Sequence, residues 1–269
     1  MKAGIVGLGY VGGTIHRAYK KHKIDVNTFD INKDLQPTHS QLSDFVRDSD
    51  IVYIAVPTPQ SKDGSCDTSI VEGVIKQISA FESYSPIIVI KSTVSIGSTN
   101  KLQEKYPQCP ILFSPEFLRE ATADQDFANQ PMMLVGYTDK SYRWAEQIML
   151  EQQRITTSIG YMKCVPSTTA EMYKYVANAF LATKVSFANE MYDTATYNEV
   201  DWSSVANLLK QDVRLGETHW DVPGPDGLYG YGGNCFPKDV NALIQMAPNQ
   251  SSPILKAIEL RNTTDRKNL

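Results

Sequence analysis

Through the first half of the chain, short continuous apolar runs alternate with stretches in which apolar positions return every three or four residues. The runs at 3–6, 26–29, 51–56, 87–90 and 111–113 are too short and too uniformly apolar for amphipathic helices. They predict strands buried on both faces. The stretches 11–21, 41–47, 70–80 and 98–105 between them predict helices. Strict alternation of the two predicts an α/β fold with a doubly wound parallel sheet. Runs at 132–135 and 155–157, separated by a helical pattern over 140–150, predict two further strands.

The pattern changes after Cys164. Thr168, Thr169, Ala170 and Glu171 read as a capping box opening a helix. No glycine or proline follows until Gly216, and the pattern is helical to about Asn198. Such a helix is roughly 45 Å long at 1.5 Å per residue. That exceeds the width of a small domain, so the helix is expected to be shared between two domains or two subunits, and a homodimer through it is expected. Asp201 is placed to cap a second helix. A glycine- and proline-rich loop over 216–233 precedes helices over 240–246 and 253–266. The expected division is a sheet domain over 1–165 and an all-helical domain over 166–269.

Composition narrows the functional classes. A formal charge of −4 over 269 residues offers no basic field for nucleic acid. No apolar run approaches a membrane span. The four cysteines, Cys66, Cys109, Cys164 and Cys235, form no CxxC pair, and no histidine stands at metal-ligand spacing from them. Neither a disulfide framework nor a metal site is expected, and a reducing compartment fits. The chain enters its first strand directly, without room for a signal peptide, so a cytoplasmic protein is expected.

Two segments carry chemistry. Gly7, Gly9 and Gly12, with Leu8, Tyr10 and Val11 between them, follow the first strand and open the first helix. Glycines at that spacing permit a tight turn, close approach of a pyrophosphate and helix–strand packing, with the pyrophosphate at the helix N-terminus. Asp30 ends the second strand about twenty residues on, as a dinucleotide site of Rossmann type asks. Its carboxylate suits a ribose diol and repels a 2′-phosphate, which favours NAD over NADP. Lys33 nearby softens that preference. Thr58 and Thr93 follow the third and fourth strands, at the carboxyl ends where open α/β sheets bind ligands. The second segment runs from Gly230 through Gly232 and Cys235 to Lys238 and Asp239. A thiol on a glycine-rich loop beside a cation and a carboxylate fits covalent catalysis on a carbonyl.

With these residues in view, the chain resembles the UDP-glucose/GDP-mannose 6-dehydrogenase family. The motifs that carry the resemblance are GLGYVG at 7–12, AVPTP at 55–59, KSTV at 91–94, FSPEFLRE at 113–120, EMYKYVAN at 171–178 and GGNCFPKD at 232–239. The resemblance implies NAD-dependent oxidation of a primary alcohol to a carboxylate through a covalent cysteine intermediate, with a sugar nucleotide as substrate. UDP-glucose is the expected substrate, with GDP-mannose and a UDP-N-acetylhexosamine as alternatives. Cys235 then carries a thiohemiacetal and a thioester. Lys174 and Asn178, one turn apart on the long helix, stabilise the oxyanion and hold a water. Asp239 is an acid/base acting through water, and Glu116 is the base for thioester hydrolysis, with Thr93 alongside. The resemblance places Tyr10, Val11, Thr93, Glu120 and Lys238 at the cofactor with the glycines. It places Glu116, Phe117, Leu118, Arg119, Glu120, Gly232, Lys174 and Asn178 at the sugar nucleotide. Arg214 is expected to reach a substrate diphosphate across the dimer.

The chain departs from the family pattern in two places. The loop over 218–229 is longer than the commonest form, and His219 and Trp220 within it read equally as substrate contacts or as packing residues. The family also continues into a third, nucleotide-binding domain, for which the 269 residues leave no room. A short natural form, a separate chain supplying that domain, and a non-catalytic NAD-binding protein are the readings this leaves. A two-domain hydroxyacid dehydrogenase is a further alternative, but it needs no cysteine.

Overall fold

The computed structural model describes residues 1–81, 83–119, 122–248 and 251–267. The chain divides into two compact units. The first comprises Met1–Pro59 and Asp67–Lys174, the second Gln60–Cys66 and Tyr175–Leu269.

The first unit is built on a seven-stranded sheet. Its strands are β1 (Ala3–Val6), β2 (Val26–Phe29), β3 (Ile51–Ile54), β4 (Ile87–Ile90), β5 (Ile111–Phe113), β6 (Asn129–Tyr137) and β7 (Ser158–Pro166). They lie in the order β2-β1-β3-β4-β5-β6-β7. The first five are mutually parallel, β6 runs antiparallel to β5, and β7 is parallel to β6. The pleat divides each central strand between two cores. Val52, Ile54, Ile88 and Ile90 face one core with Phe45, Val71, Ile75, Ile78 and Leu102. Ile51, Tyr53, Ile87 and Val89 face the other with Ile15, Tyr19, Ile148 and Met149. Helices therefore cover both faces. Helices α2 (Leu42–Arg47), α3 (Ser69–Ser79) and α4 (Ser98–Lys105) pack on the first, and α1 (Tyr10–Lys21) and α6 (Ala145–Gln153) on the second. The short α5 (Ala123–Ala128) precedes β6. Strands buried on both sides read as continuous apolar runs, which is why these elements were legible.

Three expectations need correction. The last strand is not at 155–157. Those residues form the turn that closes α6, with Ile155 and Thr156 donating to Gln152 and Gln153. Ile155 is apolar because it plugs the core, whereas β7 is largely exposed and lacks an apolar signature. The helix expected over 140–150 begins instead with a 3-10 turn at Tyr142–Trp144 and continues to Gln153. Glu171 also does not close a capping box on its own helix. Its carboxylate accepts from Gly97 N (2.6 Å), Thr99 N (2.9 Å) and Thr99 Oγ1 (2.6 Å). It thus caps α4 from a distant part of the sequence, satisfying amide groups that α4 leaves open.

The long helix α7 spans Ser167–Tyr197, and the division between units falls within it. In the second unit it is followed by α8 (Trp202–Gln211), α9 (Phe236–Met246) and α10 (Pro253–Lys267). Asp201 caps α8 by accepting from Ser203 N and Ser204 N. One core gathers Ala179, Ala182, Tyr231, Val240, Ile244 and Ile258, and a smaller one Ala188, Trp202, Ala206 and Trp220.

Candidate active site

The glycine turn lies over the carboxyl end of β1, where the strand order reverses between β2 and β3. Its three glycines answer to different constraints. A Cβ on Gly12 would stand 1.8 Å from the Gly7 carbonyl oxygen, so no side chain fits there. Gly7 has φ +88° and faces the Ala55 carbonyl. Gly9 has open space where its Cβ would be, and that is where a ligand backbone can approach. The first turn of α1 carries no acidic residue, which leaves its partial positive charge available to a phosphate. Tyr10 is exposed and Val11 half-buried at the start of the helix. Asp30 accepts from Leu8 N (2.6 Å) and Asn32 N (2.7 Å), and a carboxylate so engaged retains acceptor capacity for a ribose diol. Lys33 donates to the carbonyls of Asp30 and Ser40. Thr58 and Thr93 are half-buried beyond β3 and β4. Ser92, next to Thr93, ties these two ends together by donating to Val56 O at 2.7 Å. The residues present fit a dinucleotide.

Beyond β5 the first unit holds a buried charged cluster. Lys174 Nζ donates to the Glu116 carbonyl (2.5 Å) and pairs with Glu116 Oε1 (3.1 Å). The side chains are 4% and 9% exposed. The other Glu116 oxygen accepts from Leu118 N at 2.7 Å. Burial pushes the Glu116 carboxyl up. Lys174, the Leu118 amide and the Lys91 cation outweigh that and hold it below its ordinary range. Phe117 lies edge-on to Tyr173 and under the Lys174 ammonium. Arg119 is clamped by Asp126, through both its guanidinium and its backbone N–H. Glu120 lies outside the described residues.

A second cluster belongs to the second unit. Cys235 is half-buried at the N-cap of α9, with Pro237 in the first turn. One turn on, Asp239 is 1% exposed. It accepts from Asn178 Nδ2 at 2.6 Å and from Lys238 Nζ at 2.8 Å, so Lys238 is ion-paired to Asp239. The loop that delivers the thiol is braced from outside its own sequence. Asn189 accepts from Gly230 N (3.1 Å), Asn262 accepts from Tyr231 N (2.7 Å), and Arg266 donates to Gly230 O (3.1 Å). A Cβ on Gly232 would meet the Arg266 guanidinium at 2.8 Å. None of these braces was foreseen, because each lies tens of residues from the loop in a helix that reads as ordinary.

Trp220 is a core residue. It is 5% exposed, donates to Gly216 O and lies under the Lys184 ammonium. His219 is half-buried beside Phe236. Arg214 is 83% exposed and forms a forked pair with Asp212. Among the described residues there is no group of His, Cys, Asp and Glu that could hold a metal, and no helix is long and apolar enough to cross a membrane.

Comparisons with known proteins bear on the family. The profile of the UDP-glucose/GDP-mannose dehydrogenase family, NAD binding domain, matches residues 37–152, and that of the family's central domain matches residues 168–264. The UDP-glucose 6-dehydrogenase of Pseudomonas aeruginosa is 35% identical over 244 residues, covering 85% of this chain and 51% of that protein. The structure of a UDP-glucose dehydrogenase from Pyrobaculum islandicum superposes with a TM-score of 0.85 at 26% identity, covering 98% of this chain and 68% of that one. A ternary complex of GDP-mannose dehydrogenase from Pseudomonas aeruginosa gives 0.72 at 26% identity, covering 99% and 69%. The chain spans about half the length of the first curated relatives it matches. With a glycine turn that fits a dinucleotide and both domain profiles in chain order, the chain belongs to the UDP-glucose/GDP-mannose dehydrogenase family.

Proposed function

We propose that this protein oxidises the primary alcohol of a sugar nucleotide to a carboxylate with NAD, and that UDP-glucose is the substrate. The observation that carries the reading is Cys235 at the N-terminus of α9, one turn before a buried Asp239 bonded to Asn178. A helix N-terminus favours a thiolate, and a thiolate is the nucleophile that an aldehyde requires. NAD, held by the glycine turn, the α1 N-terminus and Asp30, would supply the hydride acceptor.

The chain's own residues do the rest. Cys235 Sγ bonds to the aldehyde carbon, giving a thiohemiacetal, and oxidation at that carbon gives a thioester. Lys174 and Asn178 donate to the oxygen that gathers negative charge. Glu116 takes a proton from the water that attacks the thioester, the C–S bond breaks, and Cys235 leaves as a thiolate. Asp239 orients Asn178 and exchanges protons through water. The covalent bond keeps the aldehyde from escaping between the two oxidations.

Val176, Phe180 and Phe187 point from one face of α7 and are 44%, 63% and 52% exposed. An apolar stripe of this kind supports a homodimer through α7. Light scattering on Phe180→Glu would test it, a dimer of unchanged affinity being the adverse result.

The reaction is tested by incubating the protein with NAD and UDP-glucose, GDP-mannose or UDP-N-acetylhexosamines, and measuring NADH formed per sugar consumed. Two per sugar is expected, with UDP-glucose fastest. One per molecule, with a free aldehyde, would sink the covalent route. NAD binding without turnover of any of them would favour a non-catalytic protein. Cys235→Ala is expected to abolish acid formation.

A further inference from the structure

Lys91 opens the KSTV segment at the end of β4, and the reaction proposed above gives it no role. It is 5% exposed. Its ammonium donates to Ser114 Oγ (3.1 Å) and Gln152 Oε1 (3.0 Å), and Ser114 itself donates to the same Gln152 oxygen (3.0 Å). The ammonium thus closes a triangle with two neutral groups. Among the described residues Lys91 forms no ion pair within 4 Å. A buried ammonium held only by neutral acceptors is costly, and a methionine would fill the same space without that cost. Its place beside a cleft gives it a use. Lys91 lines a narrow cleft together with Glu116, Phe117, Leu118, Asp126 and Gln130.

The charges that face Lys91 come from several elements. Glu116 follows β5, Lys174 stands on α7, and Asp126, on α5, is already clamped by Arg119. Glu116 thus has one cation in direct contact and a second on the wall of the same cleft. We propose that Lys91 is a positioning residue that keeps Glu116 ionised and pinned to Lys174, acting across the cleft from the seat built by Ser114 and Gln152. The electrostatics agree. Burial pushes the Lys91 ammonium down, Glu116 pushes it up and Lys174 down, leaving it at about 7. Below that pH the cation is in place to favour the Glu116 carboxylate. The inference deepens the proposed reaction and rests on it for the step in which Glu116 takes the proton from water.

The test reads Glu116 directly, without turnover. Carbon-13 carboxyl NMR of the full chain, with the Glu116 resonance assigned by its loss in Glu116→Gln, follows the titration in wild type, Lys91→Met and Lys91→Arg. Glu116 is expected to titrate at higher pH in Lys91→Met and to stay near its wild-type position in Lys91→Arg. An unmoved titration in folded Lys91→Met would overturn the proposal. If Lys91→Met does not fold, Lys91→Gln keeps an uncharged polar side chain beside Ser114 and Gln152, and Glu116 must again move up. Where turnover is measurable, single-turnover thioester hydrolysis adds a second readout. Its acid limb should shift to higher pH in Lys91→Met and return in Lys91→Arg. A titration that moves beneath an acid limb that does not would overturn Glu116 as the base, so the two readings fail separately.

Discussion

In the first unit a carboxylate, Glu116, is buried in contact with one lysine and in the field of another. In the second unit a carboxylate, Asp239, is buried against an asparagine amide and the lysine next to it in sequence. The first arrangement depends on long-range charge, because its cations arrive from β4 and α7. The second takes its cation from the next residue, Lys238, and a neutral hydrogen bond from Asn178 on α7. Charge held by distant cations is sensitive to pH and to the loss of any one partner.

Breaking the Glu116–Lys174 pair should have the largest effect. Lys174→Met leaves a carboxylate buried without its contact partner, a loss of about 3–5 kcal/mol by urea unfolding at pH 7. The pH dependence has a definite sign. The Glu116 carboxyl is held below its usual 4.5, so its contribution is present above that value and lost as pH falls through the lower folded value. Lys174→Met should flatten that acid limb.

The same contrast predicts a gain for Lys91. Its ammonium is lowered from 10.5 to about 7 on folding, so the unfolded chain holds the proton more firmly between those values and wild-type stability rises with pH across that window. Lys91→Met removes this penalty. It should raise stability by a few kcal/mol near pH 6, because each tenfold loss of proton affinity on folding costs about 1.4 kcal/mol. The gain should fade as pH approaches 10.5. A constant gain at every pH would contradict this.

In the second unit, Asn178→Leu removes an amide donor from the buried Asp239 and should cost about 1.5–3 kcal/mol. The salt dependence should be small, because the lost bond is to a neutral amide. Asn262→Ala removes one brace from the thiol loop and should cost about 1 kcal/mol. It should also increase hydrogen exchange at Tyr231 while leaving the first unit unchanged. Arg214→Ala, at an exposed pair, should not change stability measurably.

Much of the first unit could be read from the chain. Five strands and the helices between them follow from continuous apolar runs and helical periodicity, because a sheet covered on both faces leaves no polar alternation to confuse the signal. β7 escaped because it is exposed and carries no such run. Ile155 drew the prediction toward itself because a turn residue that plugs the core looks like a strand residue. Glu171 misled for a similar reason, since its spacing from Thr168 fits a cap on its own helix and nothing local reveals Thr99 as a competing partner. Of the candidate residues in the two clusters, Cys235, Asp239, Lys174, Asn178 and Glu116 were all singled out by motif. Lys91 stood in the KSTV motif without a role, and Gln152, Asn189, Asn262 and Arg266 were not singled out, because a lysine, glutamine, asparagine or arginine on a helix or at a strand end is ordinarily solvated.

The sequence by itself determined the α/β order, the glycine turn with its Asp30, and the residue types at the thiol. These depend on local spacing, and local spacing is written in the chain. Only the tertiary structure decided which charges are buried and who faces them. It set Lys91 on neutral acceptors beside the cleft that Glu116 lines, sent Glu171 to cap another helix, and braced the thiol loop from α7 and α10. Burial and through-space charge depend on residues tens of positions apart, and no local pattern encodes those distances.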